Sequence, residues 1–299
     1  MNRQRQATLL LWVLAMTAVH LSGQDSLAHA SKPRTPRSSA KTNAGEVNSI
    51  EAAIESDDSF QVQQALNKAV GLLSDPKNAG RAAESLPAWL HDLIGLGRFD
   101  ETEDFAVAVI NAHPADIRLI ETCQQARIRS KLLANKPQEA LPLAKGLYNV
   151  CLMADTSKAI DLISECLYDI NANGDPAAAV REFKLQQIQG AATTQPSTSD
   201  QNTLSQIKLD PAPFSLGLKH VELLDNTWEA AMGKGNLLLL AGEPNEAARV
   251  FDKAYALASD SNLPAATEAI ARAMRAQDGT VGRANAWILS LRPAEQAAQ

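Results

Sequence analysis

The stretch Gly242-Glu-Pro-Asn-Glu-Ala247-Ala-Arg-Val-Phe251-Asp-Lys-Ala254 decides how the rest of the chain is read. A turn glycine is followed five residues on by Ala, four further by a large apolar residue and three further by another Ala. The same spacing recurs at Gly97, Thr102, Ala106 and Val109, and at Asn135, Ala140, Ala144 and Leu147. It recurs again at Gly174, Ala179, Phe183 and Gln186, and at Gly279, Ala284, Ile288 and Leu291. Successive turn residues lie 38, 39, 68 and 37 positions apart, and the long interval is the one that contains a Ser/Thr/Pro-rich insert.

Each slot has a physical reason. Gly or Asn tolerates the left-handed conformation that ends one helix. Asp175-Pro176 and Glu243-Pro244 then start the next. Proline fits a first turn, where its missing N–H would be unpaired anyway, and the acid suits the positive end of the helix. The small residue lets two helices approach closely, and the large one a turn later fills the space beyond. Upstream apolar faces match: Leu86, Trp89, Leu90 and Leu93; Ile163, Cys166, Leu167 and Ile170; Leu237, Leu238 and Leu240 beside Gly235. One such pair cannot bury its apolar stripe alone, whereas five stacked pairs share a continuous core in which each touches its neighbours. The alternative is an irregular helical bundle whose Ala and Leu content mimics a repeat.

Outward from the repeats, the organisation follows composition. Good helix formers dominate, and no run alternates with the period of a strand. Residues 31–46 have no apolar period and are expected to be a flexible linker. Helical patterning spans 47–188, residues 189–212 read as a Ser/Thr/Pro-rich loop or linker, and patterning resumes over 213–299, ending in a capping helix with Trp287. Residues 1–30 have the layout of a secretory signal peptide: Arg3 and Arg5, an apolar run from Leu9 to Leu21, and Ala28-His29-Ala30, with cleavage expected after Ala30. The run is too short for a bilayer span. The chain is therefore expected to be exported, periplasmic or extracellular, with no stable membrane span after cleavage.

The formal net charge of −6 makes a poor binder of polyanions, so no nucleic-acid partner is expected. Only 4% of residues are aromatic, which argues against an aromatic-lined carbohydrate cleft. Cys123, Cys151 and Cys166 each sit beside apolar residues and read as small buried hydrophobes. An oxidising compartment would permit one disulfide, with Cys151–Cys166 the pair to test. His91, His113 and His220 lack metal-ligand spacing, and no phosphate loop, nucleophile elbow or Cys-x-x-Cys occurs. No cofactor, metal or catalytic residue is expected. Acidic pairs occur at Asp57-Asp58 and at Asp100, Glu101, Glu103 and Asp104, and they could serve acid–base hydrolysis if they faced one cleft. The second cluster reads instead as a turn and the following helix N-terminus, where carboxylates are favourable.

The segment Gly235–Ala254, with Leu238, Gly242, Ala247, Phe251 and Ala254 in register, resembles the tetratricopeptide repeat. The resemblance covers about residues 83–188 and 228–295. It departs from the family in its longer period and in the slot for a large aromatic, filled here by Leu86, Gln124, Ile163, Ala231 and Glu268. The resemblance implies an all-α, right-handed solenoid of about five helix–turn–helix repeats, with a concave groove lined by the first helix of each pair. Family groove positions fall on His91, Arg129, Tyr168 and Asn236, with Trp228 nearby. Each reads either as a binding contact or as an ordinary surface residue. The function implied is a scaffold that holds a peptide or protein partner without catalysis. The alternatives are a helical cell-envelope enzyme acting on glycan or peptide, or an accessory subunit of one.

Overall fold

Four of the five turn residues adopt left-handed backbone: Gly97 (φ 72°), Asn135 (58°), Gly242 (82°) and Gly279 (66°). The fifth, Gly174, does not; there the link is longer, and Asn171 rather than the glycine closes the preceding helix. The computed structural model describes residues 39–192, 203–224 and 226–297. It divides into two units, Met1–Lys41 and Thr42–Gln299. Of the first, only the residues that begin helix α1 are described, and the signal-peptide segment lies outside the described residues.

All regular structure among the described residues is helical. The elements are α1 (Ser39–Ile54), α2 (Ser59–Ser74), α3 (Ala79–Gly95), α4 (Phe99–Ala112), α5 (Ile117–Leu133), α6 (Pro137–Val150), α7 (Thr156–Ile170) and α8 (Pro176–Ala192). After them come α9 (Thr203–Gln206), α10 (Ser215–Glu222), α11 (Trp228–Leu240), α12 (Pro244–Leu257), α13 (Leu263–Asp278) and α14 (Gly282–Ala297). Short 3-10 turns occupy Met153–Asp155 and Ala212–Phe214. Pro137, Pro176 and Pro244 each open a helix, and Asp58 and Asp116 cap α2 and α5 by accepting backbone N–H bonds.

The repeat spacing marks five adjacent helix pairs: α3–α4, α5–α6, α7–α8, α11–α12 and α13–α14. In the first slot Thr102, Ala140, Ala247 and Ala284 are fully buried and Ala179 is half-buried; in the second Ala106, Ala144, Phe183 and Phe251 are buried and Ile288 is half-buried. Among the described residues no helix is long and apolar enough to cross a membrane.

Three features differ from expectation. First, α1 starts at Ser39, well inside the stretch expected to be a flexible linker. Past Pro36 the stretch has no further proline, its one strong helix-disfavouring residue is Gly45, and extending a helix costs less than starting one. Second, α8 runs on to Ala192, and part of the expected loop is ordered: α9 and the Ala212–Phe214 turn bury Leu204 and Phe214. Residues 193–202 lie outside the described residues. Third, the pairs do not touch only their neighbours. Helix α6 packs against α11 and α13, α4 against α10, and α8 against α14. One hydrophobic core therefore runs from Ile50, Leu66 and Trp89 through Phe105 and Ile120 to Leu237, Phe251 and Ala273, and a second is built from α5–α9. The reason lies in α6, which buries Pro137, Ala140, Ala144, Gly146, Leu147, Tyr148, Asn149 and Val150. A helix with buried residues on most of its circumference needs cover on more than one side.

The seam between the two sets of pairs is polar. Arg272 and Arg275 on α13 are buried and meet the carbonyl end of α6, where a cation is favoured by the helix dipole. Arg272 donates to Val150 O (2.7 Å) and Asn236 Oδ1 (2.9 Å). Arg275 donates to Thr156 Oγ1 (2.7 Å), Cys151 O (2.6 Å) and Asn149 O (3.2 Å). Their guanidinium groups lie over the rings of Phe251 (5.5 Å) and Tyr148 (5.1 Å). Neither forms an ion pair among the described residues. Burial pulls the Arg272 guanidinium down to about 10, so it stays charged at neutral pH. Two carboxylates brace the adjoining turn: Glu121 accepts from Leu152 N (3.0 Å) and Glu268 from Met153 N (2.6 Å).

Cys123, Cys151 and Cys166 are buried and unpaired, so the Cys151–Cys166 disulfide is not formed. Burial pushes the Cys123 and Cys166 thiols up to about 12 and raises Cys151 as well. A thiolate is the reactive form, and at neutral pH each would be scarce and shielded. A colorimetric disulfide reagent at pH 8 will therefore label none of the three within minutes in the folded protein and all three in guanidinium. Rapid labelling of even one native thiol would contradict this packing.

Candidate functional site

The first helices of the three leading pairs leave a solvent-facing strip. On α5 the strip is narrow. Arg118, Arg129 and Leu133 are exposed, Thr122 and Gln125 are half-buried between them, and most of the helix is covered by α3, α4 and α6. On α3 the corresponding face carries Glu84, Ala88, His91 and Asp92, and on α7 it carries Asp161, Glu165, Tyr168 and Asp169. Helix α3 packs on α5, and α5 and α7 both pack on α6.

His91, Arg129 and Tyr168 are all exposed, at matching points of these three helices, and none is engaged in a hydrogen bond or ion pair among the described residues. The other two groove positions are placed differently. Asn236 is fully buried, and its amide bridges the two sets of pairs by donating to Pro114 O (2.9 Å) and accepting from Arg272. It is a structural residue, not a surface contact. Trp228 is half-buried on the larger core, and its Nε1–H is buried with no acceptor among the described residues.

Two cavities lie elsewhere, where the later helices return onto the earlier ones. One, of about 270 Å³, is enclosed by α4, α5, α6, α11 and residues 209–214. Its floor includes Gln124, Arg127 and Phe214, all buried. Arg127 donates through Nε (3.0 Å) and Nη2 (2.5 Å) to Glu103 Oε1 and through Nη1 to Gln124 Oε1 (2.7 Å), and its guanidinium stands over the Phe214 ring at 5.5 Å. The second, of about 260 Å³, lies between the α4–α5 turn and helices α10 and α11, with His113, Asp116, His220 and Glu229 in its wall. Burial holds the His113 imidazole below its ordinary value, and its Nε2 meets Ser74 Oγ at 3.2 Å. Among the described residues no three His, Cys, Asp or Glu side chains converge as a metal ion would need.

Sequence reasoning missed the buried cations. Nothing in the sequence reading singled out Arg127, Arg272 or Arg275, all of which are buried. Arg272 lies near the phase of the buried Ala269, but Arg275 falls on the opposite side of α13 from Ala266, beside Ala271, so burial takes in most of the helix circumference. Comparison with protein-family models, with curated proteins and with solved structures finds no match to this chain.

Proposed function

We propose that this protein is an exported scaffold, a divergent relative of the tetratricopeptide-repeat proteins, that holds a peptide or protein partner without turnover. Its five helix pairs are taken as a right-handed solenoid whose later pairs turn back along the earlier ones. The partner lies across the exposed faces of α3, α5 and α7. The observation that carries this reading is the row His91, Arg129 and Tyr168, exposed and unengaged at equivalent points of three successive first helices. Tyr and Arg are the side chains most able to anchor a partner, through a large rigid contact and a forked set of donors.

The test is co-purification from the native envelope fraction with the triple variant H91A/R129A/Y168A. Exposed positions of this sort change stability by no more than about 0.5 kcal/mol each, so the variant should unfold at nearly the wild-type denaturant concentration. Recovery of the partner should fall at least about tenfold. Undiminished recovery would move the binding surface away from this face.

A further inference from the structure

We infer that residues 207–212 form a strap that lifts off the helices beneath it while both of its ends stay fixed, and that Lys145 is the latch that holds it down.

The two ends are anchored in different cores. On one side Thr203 donates its N–H (3.1 Å) and its hydroxyl (2.8 Å) to Gln186 Oε1 of α8, and Leu204 is buried in the core built from α5–α9. On the other, Pro213 O accepts from Asn111 Nδ2 of α4 (2.9 Å), and Phe214 is buried in the larger core with Arg127 over its ring. Between Leu204 and Phe214 no side chain is buried. Ile207, Leu209 and Pro213 are half-buried and the rest are exposed, and residues 207–211 are neither helix nor strand.

Among the described residues, one hydrogen bond joins residues 207–211 to the helix pairs, from Lys145 Nζ on α6 to Ile207 O. The others are local: Ile207 N–H to Leu204 O, Ala212 N–H to Asp210 Oδ1 and Phe214 N–H to Pro211 O. Lys145 is half-buried and forms no ion pair among the described residues, and burial pulls its ammonium below its ordinary value. Leu209 supplies an apolar tie. It rests on the α11–α12 turn, where a Cβ on Gly242 would stand 3.1 Å from Leu209 Cβ.

The strap does not pack flat on what it covers. Leu209, Asp210 and Pro213 form part of the wall of the cavity of about 270 Å³ that Leu143, Gly146 and Leu240 also line. Protein interiors ordinarily close such gaps, because facing surfaces held apart forfeit their dispersion contacts. A segment with few buried side chains, no hydrogen-bonded ladder and a cavity behind it opens at lower cost than the helices around it. Lifting it uncovers Leu240, which is only 2% exposed with the strap down. The inference does not depend on what binds the α3–α5–α7 face.

The reporter is Leu240→Cys in the full chain, with Cys123, Cys151 and Cys166 as internal clocks of wider unfolding. Reaction with a small uncharged disulfide reagent at pH 8 is followed for each thiol by peptide mass spectrometry. The introduced thiol should react at least about tenfold faster than the three native ones. Adding Lys145→Met, which keeps the stem and removes the donor, should speed it about tenfold more and leave the native thiols unchanged. Leu209→Ala should speed it several-fold. Should circular dichroism show that Leu240→Cys has lost helix, Gln124→Cys reports the same opening, since Gln124 lines the same cavity and is buried. An introduced thiol no faster than the native ones would overturn the strap. So would a rate that Lys145→Met leaves unmoved, since the floor would then be reached without lifting it. Equal acceleration of all four thiols by Lys145→Met would make the lysine a tie of the whole fold and not a latch.

Discussion

Replacing Arg275 by methionine will destabilise the fold by about 3–5 kcal/mol, although the new side chain is apolar and of similar length. A buried charge is often replaceable by a hydrophobe when its partners go with it. Here they stay. Asn149 O, Cys151 O and Thr156 Oγ1 would each lose a donor in a buried seam, and each orphaned acceptor costs about 1–3 kcal/mol. The contact over the Tyr148 ring would be lost as well. Lysine should recover only part of the loss, because one ammonium cannot span acceptors laid out for a planar fork. Urea unfolding gives the measurement. The midpoint should fall with little change in slope, and a loss under about 1 kcal/mol would show that the seam tolerates unpaired carbonyls.

The second large effect runs against helix propensity. Gly235 lies in the middle of α11, where alanine would ordinarily gain about 1 kcal/mol. A Cβ built there would stand 2.1 Å from Phe251 Cε1 and 2.6 Å from Cδ1 and Cζ. Ring atoms cannot yield as the tip of a flexible chain can, and this ring is fully buried with the Arg272 guanidinium over it. Overpacking of this severity costs about 3 kcal/mol or more, so sterics outweigh propensity and Gly235→Ala should be net destabilising by about 2 kcal/mol or more. Adding Phe251→Leu should relieve the clash. The double variant should then be more stable than the sum of the two single changes by at least about 1 kcal/mol. Thermal unfolding of the four proteins settles it, and a stabilised Gly235→Ala would mean that α11 and α12 sit further apart than described.

The candidate site was only partly legible. His91, Arg129 and Tyr168 came from the family resemblance, as groove positions carried over, and all three are exposed because they lie off the apolar faces of their helices. Asn236 was carried over in the same way and was misplaced. Its phase relative to Gly235 and Leu238 gives its direction, but Pro114 and Arg272, which enclose it, come from parts of the chain 122 and 36 residues away. Both cavities lie where residues after 203 return onto helices before 151, so no local pattern encodes them.

By itself the sequence determined that this chain is helical, where its pairs turn, and which small residues let paired helices close. Those properties depend on backbone conformation and side-chain volume within some twenty residues, and Gly97, Asn135, Gly242 and Gly279 carry them in their own chemistry. Only the tertiary structure decided that α6 is covered from a second side by α11 and α13, and that three arginines end up inside. An apolar or donor-rich face states that it needs a partner but not which distant helix supplies it. That choice is made by the complementarity of surfaces that meet only after the chain has folded.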